Sequence, residues 1–156
     1  MRITTWTEYS LIISIHLARR AGTGGGPVAA RELAETERLP ADYVEQILLR
    51  LRRAGLIESV RGARGGYLLA RPAESISVRD VMNASEHQTF EVNCESHQVE
   101  AERCSTTSGC SIRPVWHALQ HKIDDFLGSV SVADLMKQDS QVVELVGGHG
   151  QQSFPS

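Results

Sequence analysis

The chain has 156 residues, 41% of them hydrophobic and 22% charged, a length that suits one domain, or a small domain with an appendage, around a single core. No stretch approaches the length of a membrane helix, and Glu8 and His16 interrupt what would have to be the apolar run of a signal peptide, so a cytoplasmic protein without a membrane partner is expected. The net charge of −3 conceals a division: residues 1–72 carry 11 Arg and no Lys against 7 acidic residues (+4), and residues 73–156 carry 5 basic against 12 acidic residues (−7), so the first half can face a polyanion.

In chain order, Trp6, Tyr9, Ile13 and Leu17 recur at helical spacing, and Thr5 with Glu8 three residues later forms a capping-box pattern. The Gly22–Gly26 tract ends that helix and is a plain loop, because no Gly-Lys-Ser/Thr follows it. A short helix near Ala29–Glu35 and a break through Thr36–Leu39 come next, then a second helix from about Pro40. That helix commits Val44, Ile47, Leu48 and Leu51 to a core and turns Asp42, Glu45, Gln46, Leu49, Arg50 and Arg53 outward. Gly55 stops it; Leu56–Val60 and Tyr67–Ala70 are the strands of a hairpin turned through Arg61–Gly66. Beyond Pro72, the stretch ISVRDVMNAS predicts a short helix, Pro114 opens a long helix to about Gly128 with Val115, Leu119, Ile123, Phe126 and Leu127 as an apolar stripe, and a shorter helix spans Val132–Lys137.

Helix, short helix, turn, helix, hairpin is the order of a winged helix-turn-helix. In that fold the second helix of the motif enters the major groove and the wing reaches the backbone or minor groove. Tyr43, Glu45, Gln46 and Arg50 supply base-edge donors and acceptors; Glu45 suits a cytosine amino group and Gln46 an adenine. Arg61 and Arg64, set among glycines, suit minor-groove or phosphate contacts. No Ser/His/Asp arrangement, nucleotide loop or His-rich metal motif points to an enzyme.

All three cysteines, Cys94, Cys104 and Cys110, fall in one polar stretch with nine and then five residues between them. Three thiols do not close a disulfide framework, and a metal site needs a fourth ligand; Glu8, His16, His87, His97, His117, His121 and an exogenous molecule are the candidates. Spacing alone is equally compatible with an iron–sulfur cluster, a zinc site and a metal-free thiol switch.

The segments MRITTWTEYSLIISIHLA (residues 1–18), YVEQILLRLRRAGLI (43–57) and SVRGARGGYLLARP (59–72), with the cysteine stretch and the long helix after it, resemble the bacterial winged-helix regulators typified by the iron–sulfur regulator IscR and the nitric-oxide sensor NsrR. The resemblance spans residues 1–138. It implies a mainly α fold with a small β hairpin, organised as a winged helix-turn-helix DNA-binding domain (1–72) and a cluster-binding loop and dimerisation helix (73–138); the remainder (139–156), ending in the polar GGHGQQSFPS, is expected to be a disordered tail. It further implies a homodimer on a palindromic double-stranded DNA operator, controlled by a 2Fe-2S or 4Fe-4S cluster on Cys94, Cys104 and Cys110. Arg113 stands where one branch of the family has a histidine ligand, and a guanidinium that stays protonated cannot replace it. Other branches use an acidic residue of the first helix, donated by the second subunit, and Glu8 occupies that position. The expected function is therefore a cluster-controlled transcription regulator, with a metal-free thiol-switch regulator or a zinc-stabilised adaptor as alternatives.

Overall fold

A computed structural model describes residues 3–86 and 110–148. Helix α1 (Thr5–Gly22) and helix α2 (Ala30–Glu37) precede helix α3 (Ala41–Arg53). Strands β1 (Ile57–Val60) and β2 (Gly66–Leu69) form an antiparallel hairpin in which Ile57 pairs with Leu69 and Val60 with Gly66. A 3₁₀ turn (Ala73–Ser75) leads to helix α4 (Val78–Ser85). Helix α5 (Ile112–Ser129), a second 3₁₀ turn (Asp134–Met136) and helix α6 (Asp139–Gly148) complete the described chain. This is the mainly helical winged-helix architecture that the element order predicts.

Three local outcomes differ from expectation. The capping box at Thr5 and Glu8 does not form: Thr4, extended at φ −103° and ψ 165°, is the N-cap and makes no side-chain cap, so Thr5 already lies inside the helix. A reciprocal box forms instead on α4, where the Asp80 amide donates to Ser77 Oγ (3.1 Å) and the Ser77 amide to Asp80 Oδ2 (2.9 Å). Residues 139–148, expected to belong to a disordered tail, form α6, because Leu145 and Val146 find an apolar seat beside Val78, Met82 and Val130.

The core also runs past residue 72. Ile13, Leu17, Val28, Leu33, Val44, Ile47, Leu48 and Leu51 of the first half pack in one cluster with Ile76, Val81 and Val132 of the second. Backbone bonds stitch the end of α5 to the start of α4, from the Val78 amide to the Val130 carbonyl and from the Val132 amide to the Ile76 carbonyl, both 2.8 Å. The wing is tied back in the same way, since Val28 and Tyr67 exchange amide–carbonyl bonds of 2.9 and 2.8 Å.

Candidate nucleic-acid interface and metal centre

Helix α3 is amphipathic because its apolar residues return at i, i+3, i+4 and i+7, and Val44, Ile47, Leu48 and Leu51 are all fully buried. Its start is set by Pro40, which serves as N-cap one position before the helix, and its end by Gly55 at φ +72°. Burying one face leaves the other to solvent, so Glu45 and Gln46 are exposed, with Asp42 and Arg53 on the same side. In the hairpin turn Arg61 and Arg64 are exposed. Glu45, Gln46, Arg61 and Arg64 are therefore free to meet a ligand from two elements of one winged motif.

Tyr43 and Arg50 sit differently. Tyr43 and Ile47 are four residues apart and Arg50 follows three later, so all three share the flank of α3 that faces α1. The Tyr43 ring stacks on Trp6 at 4.6 Å between centroids and meets Tyr9 edge-on at 5.7 Å, leaving Tyr43 36% exposed. The Arg50 guanidinium lies 4.2 Å over the same Trp6 ring and donates through Nη1 to the Ser85 carbonyl at the end of α4. Arg50 is thus half-buried and internally engaged, not displayed on the outer face as the sequence predicts. Trp6 and Ser85 are the residues that sequence reasoning missed. The signal was the shared helical flank of Tyr43, Ile47 and Arg50, which a charge-based grouping of the arginines overrides.

For the metal centre, Cys94, Cys104, His87 and His97 lie outside the described residues. Cys110 is half-buried and directly precedes Ser111, the N-cap of α5. Glu8 is exposed on the first turn of α1, and its carboxylate takes part in no hydrogen bond or ion pair among the described residues. Its neighbours are anchored: Thr7 is buried with Oγ1 3.3 Å from Ser85 Oγ, and Tyr9 packs on Tyr43. His16, another candidate fourth ligand, is 13% exposed and holds Glu37 Oε1 through Nδ1 at 2.6 Å, an ion pair or hydrogen bond between α1 and α2. His117 is half-buried and His121 exposed on α5.

Among the described residues, no helix is long and apolar enough to cross a membrane. The family model described as Rrf2, iron-dependent transcriptional regulator, matches residues 3–138. The transcriptional regulator IscR of Xenorhabdus nematophila is 34% identical over 137 residues, covering 88% of this chain and 80% of that protein. CymR of B. subtilis, described as a global cysteine regulator, superposes with a TM-score of 0.69 at 30% identity, covering 87% of this chain and 96% of its own. IscR of T. potens superposes with a TM-score of 0.64 at 27% identity, covering 99% of this chain and 94% of its own. The family model and the Xenorhabdus protein are named as transcriptional regulators and CymR as a cysteine regulator, none of them as an enzyme, in agreement with a helix and an arginine-bearing wing left open to solvent. The chain belongs to the Rrf2 family of winged helix-turn-helix transcriptional regulators.

Proposed function

We propose that this chain is a homodimeric, cytoplasmic repressor or activator whose operator affinity is set by an iron–sulfur cluster, 2Fe-2S or 4Fe-4S, bound by Cys94, Cys104, Cys110 and Glu8 of the partner subunit. The observation that carries the reading is helix α5. It is 18 residues long, has no buried residue within the single chain, and begins directly after Cys110 and Ser111. Ile112, Val115, Trp116, Leu119 and Phe126 are 39–59% exposed along it. An apolar stripe of that length matches a second copy related by twofold symmetry, so one helix both pairs the subunits and carries a cysteine at its start.

The donor set fits the group. Cys110 stands two residues before the helix, and the Glu8 carboxylate on α1 takes no bond among the described residues. Three thiolates suit iron–sulfur chemistry, and one hard oxygen ligand makes the assembly more labile than four sulfurs. When bound, the group supplies reversible redox and ligand-exchange chemistry. The chain's own residues do the remainder: α1 presents Glu8, Cys110 precedes α5, Glu45 and Gln46 face base edges, and Arg61 and Arg64 face phosphate or the minor groove. The recognition helices of a twofold dimer would address half-sites about 10 base pairs apart.

The test is the iron, acid-labile sulfide and zinc content of protein purified without oxygen, with its absorption spectrum, for the parent and for Glu8→Ala. Equal iron and sulfide with visible charge-transfer bands, altered in Glu8→Ala, is the expected result. Zinc without sulfide, or no metal, would contradict it. A second reading, regulation by metal-free thiol oxidation, is favoured by the likeness to CymR of Staphylococcus aureus, which is described in an oxidized form. It predicts operator binding that responds to oxidant in metal-free protein and depends on a cysteine pair.

A further inference from the structure

Four residues on three helices close a ring of contacts that reaches α3 in its last turns. Trp6 and Thr7 are adjacent on α1. Thr7 Oγ1 lies 3.3 Å from Ser85 Oγ, Ser85 Oγ also donates to the Met82 carbonyl at 2.9 Å, the Ser85 carbonyl accepts from Arg50, and the Arg50 guanidinium returns to the Trp6 ring at 4.2 Å. Trp6 also carries the Tyr43 ring at 4.6 Å. One indole therefore holds α3 at two positions seven residues apart, about two turns or 10 Å along the helix.

The chemistry suits a guanidinium. Its flat face rests on the indole quadrupole while an N–H at its edge satisfies a carbonyl at the end of α4, one that has no partner within its own helix and sits at the negative end of the helix dipole. An ammonium has no plane to stack and cannot hold both contacts in this geometry. Thr7 and Ser85 are each about 1% exposed, so the ring closes on a dry hydroxyl pair and not on a solvated surface.

Its place in the chain gives it a role. Glu8 follows Thr7 directly, and Ser85 is the last residue of α4, beyond which the stretch with Cys94 begins. Both ends of the proposed ligand set thus leave from this ring. We propose that Trp6, Arg50 and Ser85 form the positioning link through which occupancy of the cysteine and Glu8 site sets the pose of α3, and that Arg50 acts through Trp6 and α4 and not by touching DNA. The link rests on the cluster-controlled reading above. A load on Glu8 or on the end of α4 reaches α3 at Tyr43 and at Arg50, so metal-loaded and metal-free protein hold Glu45 and Gln46 at different angles to the groove. Such a contact ring carries coupling only if both sites bias it, which a pair of affinities measures directly.

The experiment compares operator dissociation constants of full-length protein, loaded and stripped by chelator, for the parent, Trp6→Leu and Arg50→Lys, with iron and sulfide content measured alongside. The expected result is a ratio of the two constants that falls by about five-fold or more toward one in both variants, at the parent's iron and sulfide content. Should Trp6→Leu fail to fold, Arg50→Lys decides alone. A parental ratio retained in the variants overturns the link and leaves the cluster reading standing. Equal weakening of both states in Arg50→Gln, with the salt slope reduced by about 0.9, makes Arg50 a phosphate contact and also overturns the link. A parent without iron and sulfide, or with a ratio of one, removes the cluster reading and the link together.

Discussion

Gly66 shows at the scale of one residue how the wing is attached to the helices. A Cβ built there would stand 2.4 Å from the carbonyl carbon and oxygen of Val28, the residue that exchanges backbone bonds with Tyr67. Neither side of that contact can yield without breaking the bridge. Gly66→Ala should therefore cost about 2–3 kcal/mol and lower the melting temperature by roughly 5–10 °C, as read by calorimetry on metal-free protein. An unchanged melting temperature would show that the wing is not braced on Val28. The run RGARGG marks a turn by composition, but which glycine is irreplaceable depends on a partner 38 positions earlier, which local sequence does not reveal. Arg50 teaches the same lesson. Its charge suggests phosphate, while its actual neighbours, Trp6 and the Ser85 carbonyl, are set by how α1 and α4 cross α3.

At the scale of elements, two short helices begin with the same device. Ser77-Val78-Arg79-Asp80 opens α4, and Ser131-Val132-Ala133-Asp134 opens the second 3₁₀ turn. In the latter, Asp134 Oδ2 accepts from the Ser131 amide (3.0 Å) and hydroxyl (2.8 Å), and Oδ1 accepts from Lys137 Nζ (2.6 Å). Those bonds, the Lys137 contact first, hold the Asp134 carboxyl at about 2, below its ordinary 3.8. A depressed carboxyl stabilises the folded state fully above the unfolded value, and that contribution is lost as pH falls through the folded one. The stability advantage of the parent over Asp134→Asn, measured by urea unfolding, should thus be constant above about pH 5 and shrink between pH 4 and 2. A difference that does not vary with pH would exclude the carboxylate as its source. Both boxes were open to view as Ser-Val-x-Asp, whereas the Thr5–Glu8 pattern satisfies the same rule and fails. What separates them is backbone: the extended residue before α1 is Thr4, which puts Thr5 one place too late to cap. The 3.6-residue period made α1, α3 and α5 legible, while α6 escaped notice because its seat is made by residues of α4 and the loop after α5.

For the whole molecule, the question is what covers α5. Among the described residues its last turns pack on α4, where Leu127 joins the Val78 and Met82 cluster and a Cβ on Gly128 would touch the Arg79 guanidinium at 3.2–3.4 Å. Ahead of them Ile112, Val115, Trp116 and Leu119 form an exposed apolar face, which a second copy would bury. Val115→Glu with Leu119→Glu should convert a dimer to a monomer in sedimentation equilibrium and weaken operator binding by about 100-fold or more, since each half-site would then be held alone. A double variant that remains dimeric would place the interface elsewhere. The apolar stripe was legible in the sequence. That no residue of α5 is buried within the chain required the fold, because only packing shows which apolar faces stay exposed. The cysteine stretch marked metal or thiol chemistry by its composition, but the choice of Glu8 over His16 gains its physical support from the fold, in which His16 is occupied by Glu37 and the Glu8 carboxylate has no bond among the described residues.

The central claim, a cluster shared across the dimer, is tested most directly by complementation. Subunits carrying Glu8→Ala and subunits carrying Cys110→Ser are co-expressed with different tags, and the heterodimer is isolated without oxygen. Ligation across the interface leaves one intact site in that heterodimer, made of the cysteines of the first subunit and the carboxylate of the second. The account predicts iron and acid-labile sulfide at about half the parental content, with visible absorption, in the heterodimer and much less in either variant homodimer. A heterodimer as empty of iron and sulfide as the two variant homodimers, beside a fully loaded parent, would contradict it.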